Sequence, residues 1–131
     1  MAGTRKTIID KVEYNFNNGS GTVVAVKAMD VVNWREGALL VRVHSTDVAS
    51  SSTLDVIARI IAPTEEEPSV DYIYTTTDIA KVTLNSSTTA PSLERAAMAD
   101  DFGAYLQITV VGTKSGGNCA ATISAELVLK T

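Results

Sequence analysis

The sequence is poor in the residues that usually build reactive sites, with one histidine, one cysteine and one tryptophan in 131 residues and aromatics at only 5%. A lone cysteine, Cys119, forms no intrachain disulfide, so packing must hold the fold and nothing reports an oxidising compartment. Long apolar runs are missing too. No stretch approaches the roughly 18 consecutive apolar residues of a spanning helix, so no membrane segment is read. The start, "MAGTRKTIIDKVEYNF", has Arg5 and Lys6 but no apolar core followed by a small-residue cleavage site; no secretion signal is read and a cytoplasmic setting is expected. Positive charge is scarce: 11 Lys and Arg stand against 15 Asp and Glu, a net charge of -4. The loose group Arg5, Lys6 and Lys11 is no basic stripe interleaved with aromatics, so nucleic acid is not an expected partner.

What is present is an ordinary globular composition, 45% hydrophobic and 20% charged, in a chain of one-domain length that buries roughly two-thirds of its unfolded surface. The dominant pattern has period two, which places alternate side chains on opposite faces of a strand. Val12, Tyr14 and Phe16 alternate with Glu13 and Asn15 before the turn signal "NNGSG", and "TVVAVKAMDVV" follows with Val24, Val26 and Ala28 on one face. Leu39, Val41 and Val43 alternate with Leu40, Arg42 and His44; Leu54, Val56, Ala58 and Ile60 alternate with Asp55 and Arg59. Pro63 and Pro68 bracket "TEEE" as a loop. Two more strands are expected in "VDYIYTTT" and "IAKVTL". In "PSLERAAMADDFG" the spacing of Leu93, Ala96 and Ala97, with Ser92 as cap, predicts a short helix near residues 92–99. The chain closes with Leu106, Ile108 and Val110, the turn "GTKSGGN", and Ile123, Ala125, Leu127 and Leu129, read as a terminal hairpin. About eight short strands make this an all-β chain, an antiparallel β-sandwich or jelly roll over residues 1–131, with residues 1–7 as a possible arm.

No candidate site survives comparison with its plainer alternative. His44 has Asp47 and Ser50 to Ser52 nearby in sequence, but residues so close along one strand do not converge, and no G-x-S-x-G elbow occurs. Cys119 has only Lys114 near it, whereas a reactive thiolate needs a histidine or several cations; it reads as a packing residue. Glu65, Glu66 and Glu67 lack the spaced oxygen ligands of a calcium loop, and the tandem Asp100 and Asp101 cannot face each other across a cleft. Trp34 reads as an edge or core anchor. Tyr72 and Tyr74 share a strand face and offer a sugar-stacking platform, though an aromatic-poor chain needs them for its core. Asn18 and Asn85 head glycosylation sequons that read as turn chemistry. No catalytic, cofactor-binding or metal-ligating residue is assigned, and no cofactor.

At "NWREGALLVRVHSTD", "AYLQITVVGTKSG" and "ISAELVLK" the sequence resembles small β-sandwich virion proteins of tailed bacteriophages and related particles. An aliphatic strand with an interposed arginine is followed there by a strand ending in Val-x-Gly, a Gly/Ser/Thr turn and a closing strand. The resemblance implies a non-enzymatic capsid decoration (cement) or head accessory protein. It would be assembled in the host cytoplasm into a virion and would contact copies of itself and the major capsid or other virion proteins. The alternative, from the tyrosines and loops, is a carbohydrate-binding or adhesin-like module.

Overall fold

The computed structural model describes residues 3–61, 73–98 and 105–131, with side chains of 73–77 left aside. Eight strands are found among the described residues: β1 (Gly3–Asn15), β2 (Gly21–Asp30), β3 (Glu36–Val48), β4 (Thr53–Ile61), β5 (Ile73–Leu84), β6 (Ser92–Ala97), β7 (Tyr105–Thr113) and β8 (Cys119–Lys130). They form two four-stranded antiparallel sheets, ordered β1-β8-β3-β6 and β2-β7-β4-β5. Except at β4–β5, each strand hands the chain to the opposite sheet. That alternation is the jelly-roll form of the sandwich, and it closes the core by wrapping rather than by consecutive hairpins.

The period-two pattern places the core as expected. Leu39, Val41 and Val43 of β3 and Ile123, Ala125, Leu127 and Leu129 of β8 face Leu54, Val56 and Ala58 of β4 and Leu106, Ile108 and Val110 of β7, all essentially inaccessible. Each large aliphatic so buried contributes about 1.5–3 kcal/mol relative to an exposed position. At one end Phe16 plugs the space between the sheets. Its ring lies where a side chain at position 112 would stand, so Gly112 is the residue that admits it. The turn from β7 to β8 needs another glycine: Gly116 has φ +77, a left-handed conformation costly for residues with a Cβ.

Several expectations are corrected. The segment expected to be helical near residues 92–99 is strand β6 over Ser92–Ala97, paired with β3 from Ala38↔Ala97 to Val43↔Ser92. Leu, Glu, Arg and Ala are good helix formers, but the intrinsic preference is a few tenths of a kcal/mol per residue, and a ladder with a central strand overrides it. "SLERAA" also alternates: Leu93, Arg95 and Ala97 are exposed, while Ser92, Glu94 and Ala96 are half-buried. The two strands expected in "VDYIYTTT" and "IAKVTL" are one, β5, with register shifts along it. The terminal hairpin is no hairpin, since β7 and β8 lie in different sheets. Residues 3–7 of the expected arm are strand, with Gly3 opposite Lys130 and Thr7 opposite Glu126.

Register shifts explain the misplaced faces. In β1, shifts fall between Thr7 and Ile9 and between Ile9 and Val12, and Lys11 has φ +49. Ile9, Tyr14 and Phe16 are buried as a result, while Val12 is 41% exposed. Two shifts in β2 bring Val26 and Met29 against the core and leave Val24 exposed. Both strands lie at sheet edges. Bulges there twist an edge away from regular pairing with another chain.

Candidate functional site

The structure keeps the sequence-selected polar residues apart or commits them to turns. Asp47 accepts a hydrogen bond from the Asn118 amide at 2.8 Å. Ser51 and Ser52 donate to the carbonyl of Ser115, and the Ser115 N–H returns a bond to Ser52 Oγ at 3.0 Å, tying the β3–β4 loop to the β7–β8 turn. The Lys114 N–H donates to Ser20 Oγ at 2.8 Å. His44 does acquire a serine, but from another strand: Nε2 lies 2.8 Å from Ser124 Oγ on β8. Among the described residues no carboxylate bonds the ring, so a nucleophile–base pair there lacks the orienting third group.

Cys119 is fully buried at the start of β8. Its backbone N–H donates to Asn17 Oδ1 at 2.7 Å and its thiol to the Thr53 carbonyl at 3.3 Å. Desolvation pushes the thiol's pKa above its ordinary value, which holds it in the unreactive protonated form. Trp34 packs against the core with Lys6 Nζ 4.7 Å above its ring centroid, a cation–π contact that fits the anchor reading. Asn85 Oδ1 accepts the N–H of Ser87 at 2.9 Å, which is turn chemistry. Glu65 to Glu67, Asp100, Asp101 and Tyr72 lie outside the described residues, as does the side chain of Tyr74. Among the described residues no group of three or more His, Cys, Asp or Glu is placed to hold a metal ion, and no helix is long and apolar enough to cross a membrane.

What the fold does assemble is an extended surface, the outer face of the β1-β8-β3-β6 sheet. All three shallow grooves described here lie on it. One of them, at the end where β3 begins, sets Arg95 and Lys130 with Glu36 around Ala38, Leu40 and Val128; a second, in the middle of the face, sets Arg5 and Arg42 with Glu126 around Leu40 and Leu93. The third, at the other end, carries Glu13 and Asp47 among Asn15, Asn17, Ser45 and Thr122. Charges of both signs therefore stand along the face, with carboxylates alone in the groove at the far end. Leu93 is 54% exposed in its middle, and Arg5 bonds Glu126 at 3.0 Å across its rim. Alternation alone puts Leu40 and Arg42 on the polar side of β3. The available signal was a leucine recurring on outward positions, Leu40 and Leu93, each two residues before an arginine or beside one; only the pairing of β3 with β6 makes them one patch.

No protein-family model matches the chain, and no curated protein sequence does. Its fold is similar to that of proteins in solved particles of infectious bursal disease virus. The crystal structure of the VP2 subviral particle aligns with a TM-score of 0.59 at 15% identity, over 98% of this chain and 32% of that one. The structure of the Gx strain aligns with a TM-score of 0.51 at 12% identity, over 98% and 31%. The chain thus spans about a third of the length of the solved chains it matches, and at such identities the likeness is one of fold.

Proposed function

We propose that this protein is a non-enzymatic structural component of a virion, working through subunit contacts, and specifically of the capsid decoration or head accessory type. The observation that carries the reading is the strand order. The chain that forms the β1-β8-β3-β6 and β2-β7-β4-β5 sheets aligns over nearly its whole length with about a third of a protein solved as a subviral particle. Jelly rolls serve other functions too, lectins among them, so fold alone does not carry the assignment. Two things add to it: the similarity of "NWREGALLVRVHSTD" and "ISAELVLK" to phage virion strands, and an outer sheet face that offers apolar side chains ringed by charge. The partners are further copies of the chain and a capsid lattice, contacted by burial of surface at lattice junctions. No catalytic, cofactor or metal site enters this reading.

The test is sedimentation. Purified protein should self-associate, or co-sediment with assembled particles from the same source, and electron microscopy should show it at regular lattice positions. A protein that stays monomeric and never co-sediments with such particles is not a virion component. Binding on a glycan array abolished by Tyr72→Ala would assign the chain to the carbohydrate-binding class instead.

A further inference from the structure

We infer that Asn18, at the tip of the turn joining β1 to β2, is a self-modification site: its side-chain amide is lost to attack by the Gly19 backbone nitrogen, leaving aspartate or isoaspartate at position 18. The inference uses no virion partner and stands or falls apart from the assembly reading above.

The first support is the contrast among the asparagines. The chain has six, and Asn18 is the one followed by glycine, the residue that crowds an attacking backbone nitrogen least. Four of the others have their amides held. Asn15 Oδ1 accepts the N–H of Asn17 at 2.8 Å, Asn17 Oδ1 that of Cys119 at 2.7 Å and Asn85 Oδ1 that of Ser87 at 2.9 Å, while Asn118 Nδ2 donates to Asp47 at 2.8 Å. Asn33 precedes the bulky Trp34, whose N–H donates to the Val31 carbonyl at 3.0 Å. Asn18 is exposed, and among the described residues its amide makes no hydrogen bond.

The second is room. A Cβ placed on Gly19 would meet nothing within 4 Å, so hydroxide and the tetrahedral intermediate meet no wall at this nitrogen.

The third is that a single exposed hydrogen bond restrains the nucleophile. The Gly19 N–H donates to the Phe16 carbonyl at 3.0 Å, closing a four-residue turn around Asn17 and Asn18. A peptide nitrogen is a poor nucleophile because its lone pair is delocalised. Here its proton is engaged as well, so the reaction runs from the opened turn, and exposed turns open at little cost in free energy. The stem is fixed on both sides: the Phe16 N–H donates to the Cys119 carbonyl at 2.7 Å, and Ser20 Oγ accepts the Lys114 N–H at 2.8 Å. Opening of the tip therefore sets the rate.

The step balances with one water. Hydroxide takes the Gly19 N–H proton, the nitrogen bonds Asn18 Cγ, and the Cγ–Nδ2 bond breaks with release of ammonia. Water then opens the five-membered succinimide. Cleavage of the new N–Cγ bond leaves aspartate; cleavage of the original peptide bond leaves isoaspartate, with an added methylene in the backbone. Either product adds one negative charge to a chain of net charge -4. It arises one residue from Asn17, which lines the groove of Glu13 and Asp47, and so makes that end of the outer face harder to bury against an acidic partner.

The experiment is incubation of the full folded chain over a pH series from neutral upward, read by mass-spectrometric peptide mapping and isoaspartyl methyltransferase labelling. The peptide carrying position 18 should be the first to exchange amide for acid, at a rate rising with hydroxide. Asn18→Gln, whose longer side chain must close a six-membered ring, should lose that signal. The chain unfolded in guanidinium should convert severalfold faster than the folded one. Ser20→Ala, which frees the Lys114 N–H and loosens the stem, should fall between them, with thermal melts to establish that both variants fold. A folded chain that stays intact at position 18 while the unfolded chain converts would overturn the proposal, and so would another asparagine converting first. Equal folded and unfolded rates would overturn the gating by the turn.

Discussion

His44 Nε2 lies 2.8 Å from Ser124 Oγ, and the same hydroxyl accepts the N–H of Lys11 at 2.9 Å. Ser124 thereby joins two irregularities: the bulged part of β1 where Lys11 has φ +49, and the register shift in β3 between Val43 and Ser45. The arrangement has the outline of a catalytic pair and the role of a brace.

Ser124→Ala should test that role. It leaves the Lys11 N–H without its partner at an exposed site, a loss of about 1 kcal/mol, or about 3–5 °C in Tm for a chain of this size. His44→Ala should cost less. Hydrolysis of a generic ester, measured beside the melts, should be at background for the original chain and both variants; turnover that falls with His44→Ala would make the pair catalytic.

Gly112→Ala should be among the most damaging single substitutions, because its methyl group would occupy the position of the Phe16 ring. Overpacking of a closed core costs about 1–3 kcal/mol, and more where the ring cannot move. In a Phe16→Ala background the same change should cost much less, and a denaturant double-mutant cycle measures the coupling. Equal costs in both backgrounds would mean that Phe16 is not what excludes a side chain there.

Cys119 should be silent toward a thiol reagent at neutral pH in the folded protein and react fully on unfolding, since it is buried and its pKa is raised by desolvation. The same shift has a sign in stability. A thiol held protonated by the fold contributes stability that is fully present below the ordinary value of 9.0 and is lost as pH rises through the folded pKa. Tyr14, also raised by burial, adds a second decline above its ordinary value of 10.0. Denaturation midpoints should therefore begin to fall above about pH 9, and Cys119→Ala should remove the earlier part of that decline.

Truncation after Asn118 should abolish cooperative folding. It removes β8, which pairs with β1 on one side and β3 on the other and supplies Ile123, Leu127 and Leu129 to the core. A fragment 1–118 that melts cooperatively would contradict the central place given to this strand.

The strands were legible because inward aliphatics such as Leu39, Val41 and Val43 recur at every second position, and a half-buried strand needs nothing more. About eight are expected and eight are found among the described residues, although the match hides two compensating errors. The pattern divides β5 in two, and the spacing of Leu93, Ala96 and Ala97 predicts a helix at β6 because it fits either period over so short a run. Pairing order was not legible. The turns "NNGSG" and "GTKSGGN" signal a reversal of direction, and nothing in their residues distinguishes a return within one sheet from a passage to the other. The charged outer face is hidden for the same reason. Its charges come from β1, β3, β6 and β8, and Arg5 and Lys130 are neighbours only because the first and last strands pair. Lys114, Ser51 and Asp47 looked chemically promising because turn-forming polar groups and site-forming ones are the same residue types.

The pairing of β8 with both β1 and β3 also sets an order in time. Among the first sheet's ladders only β3 with β6 joins segments made before β8; β1 must wait for the last strand to be synthesised. At a translation rate of about 5–20 residues per second, the hundred or so residues between them leave β1 unpaired for several seconds on the ribosome. Its bulges at Ile9 and Lys11 are then a safeguard for a nascent chain, keeping an early, partly apolar strand from pairing with its neighbours on the same message before its own partner exists.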